Sequence, residues 1–304
     1  MFKNEGRKVN TETNLDMKIL RLIILLSVLL CGSESINAAK GDSIAAAQFC
    51  CIYKHWTKTS DLKGKAVSDS TIAVLEVGDN VSKYGDFFSY KGLRPSGYTP
   101  GFMEGDPRAN NGVTVYRDYP QKGVLTVREG LLPYFYIYDE QPALKWKLVD
   151  GQENVLGYKC KKAVAEYGGR TWSVCYAEDV PSTTGPWKLS GLPGLILKAE
   201  SQDGVHKFVA QALFNVEGQG ISFDKDATDV AVKRDKFISL RNRLKCDKRW
   251  AKNASYYVNP SEIKSISIVK GDNNKGMAAG MNINGINLPM SGGFDHLYQP
   301  LELK

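Results

Sequence analysis

The sequence is poor in the residues from which most enzyme and metal sites are built. Its 304 residues include three histidines, His55, His206 and His296, widely separated, and its six cysteines form no Cys-x-x-Cys pair. Zinc centres draw on closely spaced Cys and His, so this pattern implies neither a metal site nor a cofactor. No pair of carboxylates stands at a spacing diagnostic of a glycosidase. Glu76, Asp139-Glu140 and Glu178-Asp179 are scattered, and the last pair sits in a turn beside Pro181, where an Asp side chain accepts backbone N–H bonds. Cys50 and Cys51 lie near His55, but an extended strand puts Cys51 roughly 13 Å from it, beyond hydrogen-bond reach for a thiol–imidazole dyad. No catalytic residue is assigned, and a hydrolase is the least supported class.

Long apolar runs are also scarce. Past residue 38 nothing approaches the roughly 18–20 consecutive apolar residues of a membrane-spanning helix, which argues against an integral membrane protein. The net charge is +7, with much of the basic excess between Lys233 and Lys252. The aromatic residues are not interleaved with that excess as stacking platforms, so no nucleic-acid partner is expected. There is no internal repeat.

The one apolar run, Leu22 to Leu30, follows Met17-Lys18 and Arg21 and gives way to small and polar residues up to Ala38-Ala39. This is the pattern of a secretory signal peptide, residues 1–38. Met17 is the better translation start, with 1–16 an upstream mis-start, and cleavage is expected after Ala38 or Ala39. Cys31 stands where a lipoprotein would carry its acylated cysteine, but Leu30 before it is not small, which argues against a lipid anchor. Residues 39–304 then form one exported domain, periplasmic or associated with the outer membrane or cell surface. Five cysteines remain in it, so they cannot all pair within one chain.

From Gln48 onward short alternating or apolar runs are separated by turn residues, the pattern of antiparallel β structure. Strands are expected at Phe49 to Thr57, Thr71 to Val77, Val113 to Tyr119, Val124 to Glu129, Tyr134 to Glu140, Ala143 to Val149, Leu156 to Glu166, Thr171 to Tyr176, Leu195 to Glu200 and His206 to Val216. The connections are too short for parallel crossovers. Asp203-Gly204 marks a two-residue hairpin loop, and Tyr167-Gly168-Gly169-Arg170 marks another. Around that second loop Cys160 and Cys175 point to one face and are a candidate disulfide. They are directly opposite if Tyr167-Gly168 is the loop, and diagonal, roughly 7–8 Å apart, if Gly168-Gly169 is. Between Thr228 and Ala251, Val230, Phe237, Leu240, Leu244 and Ala251 recur at helical spacing, predicting one amphipathic helix laid on a sheet. Residues 92–112 and 270–290, rich in Gly, Pro and Asn, read as a long loop and as a mobile loop or weak hairpin.

The most distinctive segment is Gly191-Leu192-Pro193-Gly194-Leu195-Ile196, preceded by Gly185-Pro186-Trp187. Its glycines permit positive φ, Pro193 fixes φ near −65°, and Leu195-Ile196-Leu197 suits a buried strand. The turn contains no nucleophile, acid or ligand, so its role reads as structural. Trp146, Trp172 and Trp187 with Tyr158 and Tyr176 make an aromatic-rich middle. That middle is core by default and an apolar groove as the functional alternative.

The hexapeptide, Gly185-Pro186-Trp187-Lys188, Asp179-Val180-Pro181, Leu75-Glu76-Val77-Gly78 with Ser82-Lys83-Tyr84, Gly157-Tyr158-Lys159-Cys160 and the ending Gln299-Pro300-Leu301-Glu302-Leu303 together resemble the GLPGLI family. These are secreted and envelope proteins of Gram-negative bacteria with no established biochemical activity. The resemblance implies location and architecture rather than chemistry. One departure is that Cys175-Tyr176 stands where the family tends to carry Trp-Tyr. The fold expected is mainly β, a curved antiparallel sheet or half-open barrel with one amphipathic helix packed on it. The expected function is that of a non-enzymatic binding or accessory protein of the envelope, holding an apolar ligand or peptide in a concave aromatic face. The alternative is a structural or interaction protein whose partner is another envelope protein.

Overall fold

A computed structural model describes residues 43–87, 112–131, 134–216, 218–247, 264–269, 280–283, 286–289 and 297–304. The expected signal peptide with Met17 and Cys31, the loop at 92–111, Ala251 and His296 lie outside the described residues. Among the described residues the fold is mainly β with one helix, and its large sheet is curved and unclosed.

Strands β1 (Ser43–Ala46), β2 (Phe49–Ser60), β3 (Ala66–Val77), β4 (Ser82–Asp86), β5 (Thr114–Arg117), β6 (Leu125–Leu131) and β7 (Tyr134–Glu140) come first. They are followed by β8 (Lys147–Val155), β9 (Tyr158–Tyr167), β10 (Arg170–Ala177), β11 (Leu195–Ser201), β12 (His206–Asn215), β13 (Gly220–Ser222) and β14 (Val230–Ala231). Helix α1 (Arg234–Lys245) follows, then β15 (Ile266–Val269), β16 (Gly280–Ile283) and β17 (Ile286–Pro289). Twelve strands make the main sheet in the order β14-β7-β6-β5-β4-β3-β2-β12-β11-β10-β9-β8, antiparallel except for β14 beside β7. Its ends, β14 and β8, do not meet, and bulges at Cys175/Tyr176, Ala210/Ala212 and Val149/Gln152 sharpen its twist. β1 pairs with β13, and β15 to β17 form a separate antiparallel trio in which β16 and β17 are the hairpin expected within 270–290.

Most expected strands are present, and the differences have local causes. Ala143 to Trp146 are not extended into the sheet. β8 instead runs Lys147–Val155 and turns back at Leu156-Gly157, both at positive φ (54° and 85°). This is a two-residue primed turn that the apolar Leu156 disguised as a strand start. Ser82-Lys83-Tyr84, for which no strand was expected, lies in β4, paired to both β3 and β5. The Asp203-Gly204 hairpin joins β11 to β12 through four residues rather than two, with Asp203 Oδ1 accepting from the Val205 amide at 3.0 Å.

Helix α1 is shorter than the periodic run, and Val230, expected in it, belongs to β14. Its buried face is also rotated from the apolar stripe. Phe237, Ile238, Arg241 and Lys245 are buried, whereas Leu240 and Leu244 are half-buried at its flank. Phe237 packs against Tyr136 and Tyr138 of β7, ring centres 5.2 and 5.5 Å away. Arg241 and Lys245 follow Phe237 at steps of four and therefore project from the same side of the helix, inward.

The expected groove aromatics divide between core and rim. Trp172 and Trp187 are buried with ring centres 5.7 Å apart, Trp172 also lies 6.0 Å from Phe208, and Tyr176 is buried. These three are core and line no open groove. Trp146 and Tyr158 are half-buried against the core, with Trp146 Nε1 donating to the Ser190 carbonyl at 2.7 Å. The candidate disulfide is corrected as well. The β9–β10 loop is Gly168-Gly169, so Cys175 faces Lys162 and stands diagonal to Cys160, and both thiols are free.

Candidate functional site

The long connection between β10 and β11 carries the hexapeptide and is buried despite having no strand of its own. It is held by its own backbone. The Gly191 amide donates to the Thr183 carbonyl at 2.7 Å, Ile196 to Thr184 at 3.0 Å, and Leu189 to Pro186 at 3.2 Å. Gly185 must be small, since a Cβ there would stand 2.7 Å from the Ile196 Cβ. Gly194, at φ 154°, runs so close to the Ala177 carbonyl that no Cβ fits. Trp187 sits at φ 54°, and from the following position Lys188 projects into the interior with no exposed surface.

Lys188 Nζ meets Glu140 Oε1 of β7 at 2.6 Å and Glu302 Oε2 at 2.9 Å, and donates to the Tyr138 hydroxyl at 3.0 Å. Arg234 of α1 bridges the same two carboxylates, to Glu140 Oε2 at 2.7 Å and Glu302 Oε1 at 2.8 Å. Arg241 binds Glu129 of β6 at 3.0 Å and stands 3.9 Å from Glu302 Oε2. Five parts of the chain thus converge on one buried cluster: β6, β7, the hexapeptide connection, α1 and the last eight residues of the sequence. Burial disfavours every charge in it, so the partners decide which form each group takes. Burial alone would raise the Glu302 carboxyl, but Lys188, Arg241 and Arg234 outweigh it and hold Glu302 below the usual carboxylate range. Burial pushes the Lys245 ammonium down to about 8, against the pull of Glu129.

Glu302 arrives on an irregular strap, residues 297–304, that bends at Leu301 as it crosses the body. The body reads the strap chiefly through its backbone. Thr59 Oγ1 donates to the Leu297 carbonyl at 2.6 Å, and the Leu297 amide donates to Ser60 at 2.8 Å. Arg170 donates to the Pro300 carbonyl at 2.8 Å, and His206 Nε2 lies 3.1 Å from that oxygen. Arg241 and Asn242 donate to the Glu302 carbonyl at 3.1 and 3.0 Å, and the Leu303 amide donates to Gly168 at 2.7 Å. The turn glycines Gly168 and Gly169 leave the strap its space, since a Cβ on Gly168 would stand 2.9 Å from Glu302 Cγ. Pro300 and Glu302 are buried, Leu301 is half-buried, and Leu303 and Lys304 are exposed.

The pairing of β2 with β12 brings His55 and His206 together, Nε2 to Nδ1 at 3.1 Å. A carbonyl only accepts, so His206 Nε2–H donates to Pro300, and His206 Nδ1 then accepts from His55 Nε2–H. Both rings are neutral: burial and the nearby Arg170 bring His206 down to about 4, and burial and His206 lower His55. Burial pushes the Cys51 and Cys175 thiols up to about 12, which keeps them protonated and poorly nucleophilic. Among the described residues no three His, Cys, Asp or Glu side chains are grouped to hold a metal ion, and no helix is long and apolar enough to cross a membrane.

Sequence reasoning missed this cluster. Of its members only Glu140 was weighed for chemistry, and for a different one. The available signal was a broken pattern: Glu129, Glu140 and Arg241 occupy positions where the period of a strand or helix calls for an apolar side chain.

No protein-family model matches the chain, and no curated protein matches it. Among solved structures the chain is similar to PNGF-II, at 13% identity and TM-score 0.43, covering 64% of this chain and 33% of that one. The chain therefore spans about a third of the length of that structure. A DUF1329 family protein from Desulfovibrio piger (11% identity, TM-score 0.19) matches over 58% of this chain and 88% of its own. A putative outer membrane lipoprotein-sorting protein domain from Vibrio parahaemolyticus (8% identity, TM-score 0.19) matches over 56% and 86%.

Proposed function

We propose that this chain is a non-enzymatic binding or accessory protein of the Gram-negative envelope, a GLPGLI-type protein that recognises a polypeptide segment in the groove filled by its own strap. The observation that carries the reading is the mode of attachment: backbone carbonyls or amides of Leu297, Pro300, Glu302 and Leu303 are met by side chains or backbone of the body, as those of a bound peptide would be. The charged groups beneath the strap are engaged with one another, the described histidines bind each other and the strap, and the Cys51 and Cys175 thiols are held protonated. Binding, rather than proton or group transfer, is what such groups support. With Trp172, Trp187 and Tyr176 in the core, a peptide is favoured over an apolar small molecule. The family resemblance supplies the envelope setting.

The test is exchange of the strap. A specific protease site is placed between Gly292 and Gly293 of the full chain, and the folded protein is cut and mixed with a fluorescent peptide of sequence 297–304. Saturable uptake of the peptide, with displacement of the cut strap, is expected. Cutting removes the high effective concentration that keeps the tethered strap in place. A cut protein that takes up no peptide would remove this reading.

The alternative reading, a structural partner that docks by a sheet edge, draws on β8. This end strand is exposed along most of its length, with Leu148 64% exposed and Val149 beside it. A photo-crosslinker at Leu148 should then yield in cells a discrete adduct with another envelope protein that Val149→Pro abolishes. A crosslinking pattern unchanged by that substitution counts against it.

A further inference from the structure

We infer that the groove selects the sequence of what it binds: it takes a segment of a partner protein carrying proline, then an apolar residue at a bend, then glutamate. This rests on the peptide-binding reading above and adds the class of ligand. In the strap Pro300 and Glu302 are both buried against the body, on either side of a bend at half-buried Leu301. The Pro300 position suits proline, which has no N–H to satisfy, while Arg170 and His206 take its carbonyl. The Glu302 position is a built carboxylate pocket. Lys188 Nζ and Arg234 reach one oxygen each, at 2.9 and 2.8 Å, and Arg241 stands 3.9 Å off. Lys188 and Arg241 are themselves almost wholly buried, so a neutral side chain there would leave them short of an anion in a low-dielectric interior. The next position is held through its backbone, the Leu303 amide donating to Gly168 and its carbonyl accepting from Asn242, while the side chain is exposed.

The discrimination is electrostatic and specific in length. Glutamine keeps the size of Glu302 and offers one acceptor without charge. Aspartate keeps the charge and falls a methylene short of Lys188. The experiment uses the cut full-length protein and three fluorescent peptides of residues 297–304, with Glu, Gln or Asp at the Glu302 position. The Glu peptide is expected to bind at least about tenfold more tightly than the Gln peptide, with Asp between them. In full-length Arg234→Gln, similarly cut, the Glu-over-Gln preference should fall at least about threefold. In Lys188→Met it should nearly vanish. Arg234 is part-exposed, so its variant keeps the test decisive if Lys188→Met does not fold. Glu and Gln peptides binding within twofold of each other would overturn the inference and leave the peptide-binding reading standing. No uptake of any peptide would overturn both.

Discussion

At Gly194 the backbone passes so near the Ala177 carbonyl that any side chain must displace β10 or β11. Gly194→Ala should therefore lower stability by about 2 kcal/mol or more, read as a shift of the chemical-denaturation midpoint, and Gly194→Val should prevent folding. A stable, folded Gly194→Val protein would show that the hexapeptide does not need its second glycine. Leu156 poses the opposite case. It is 41% exposed at φ 54°, in a turn that favours Asn-Gly. Leu156→Asn should raise stability by about 1 kcal/mol, and an unchanged or lower midpoint would contradict the turn assignment. His206 sets an acid limit. Its folded-state value, about 4, lies below the ordinary 6.5, so the unfolded chain binds the proton more readily. Its contribution is complete above pH 6.5 and is lost as pH falls from 6.5 to about 4, a span worth about 3 kcal/mol, with His55 acting in the same direction. Unfolding midpoints between pH 7 and 4 should drop steeply, and less so in a folded His206→Gln variant. The hexapeptide was legible as structural from glycine and proline alone. Leu156 was not, because its side chain states the wrong preference for its backbone.

Strands were the most legible elements, since β7, β9, β10, β11 and β12 each show alternation bounded by turn residues. The helix was legible as a helix but not in its facing. Leu240 and Leu244 suggested a stripe whose true centre, Phe237–Arg241–Lys245, is two-thirds charged. Pattern reading places charge outside, and it fails where buried carboxylates elsewhere in the chain supply the compensation. Phe237→Ala, which removes the ring held between Tyr136 and Tyr138, should cost about 3–4 kcal/mol in denaturant unfolding. The helix begins at Lys233 with no side-chain cap. Lys233→Asp should supply both the missing acceptor and a favourable charge at that end, adding about 1 kcal/mol. A neutral result in thermal melts would indicate that the first turn is satisfied in another way.

At the scale of the whole molecule, sheet, helix and hexapeptide meet through a glutamate far away in sequence. Lys188 and Glu302 are separated by 114 residues, and Thr59 and Leu297 by 238. No local spacing could announce such a site, whereas the sheet that frames it was readable strand by strand. Because its partners are buried, Glu302→Gln should destabilise by about 3 kcal/mol, and the loss should be nearly the same in low and high salt, unlike that of a surface ion pair. A loss that disappears in molar salt would place Glu302 at the surface.

The strap also imposes an order in time. Until residues 297–304 dock, Lys188, Arg234 and Arg241 face one another with only Glu140 and Glu129 within the cluster to balance them. The rest of the sheet can assemble early from neighbouring hairpins, whose contacts are local. Its interior must stay hydrated until Glu302 arrives, because expelling water earlier would strand those cations. Closure of the interior is thereby tied to a single contact between segments 114 residues apart.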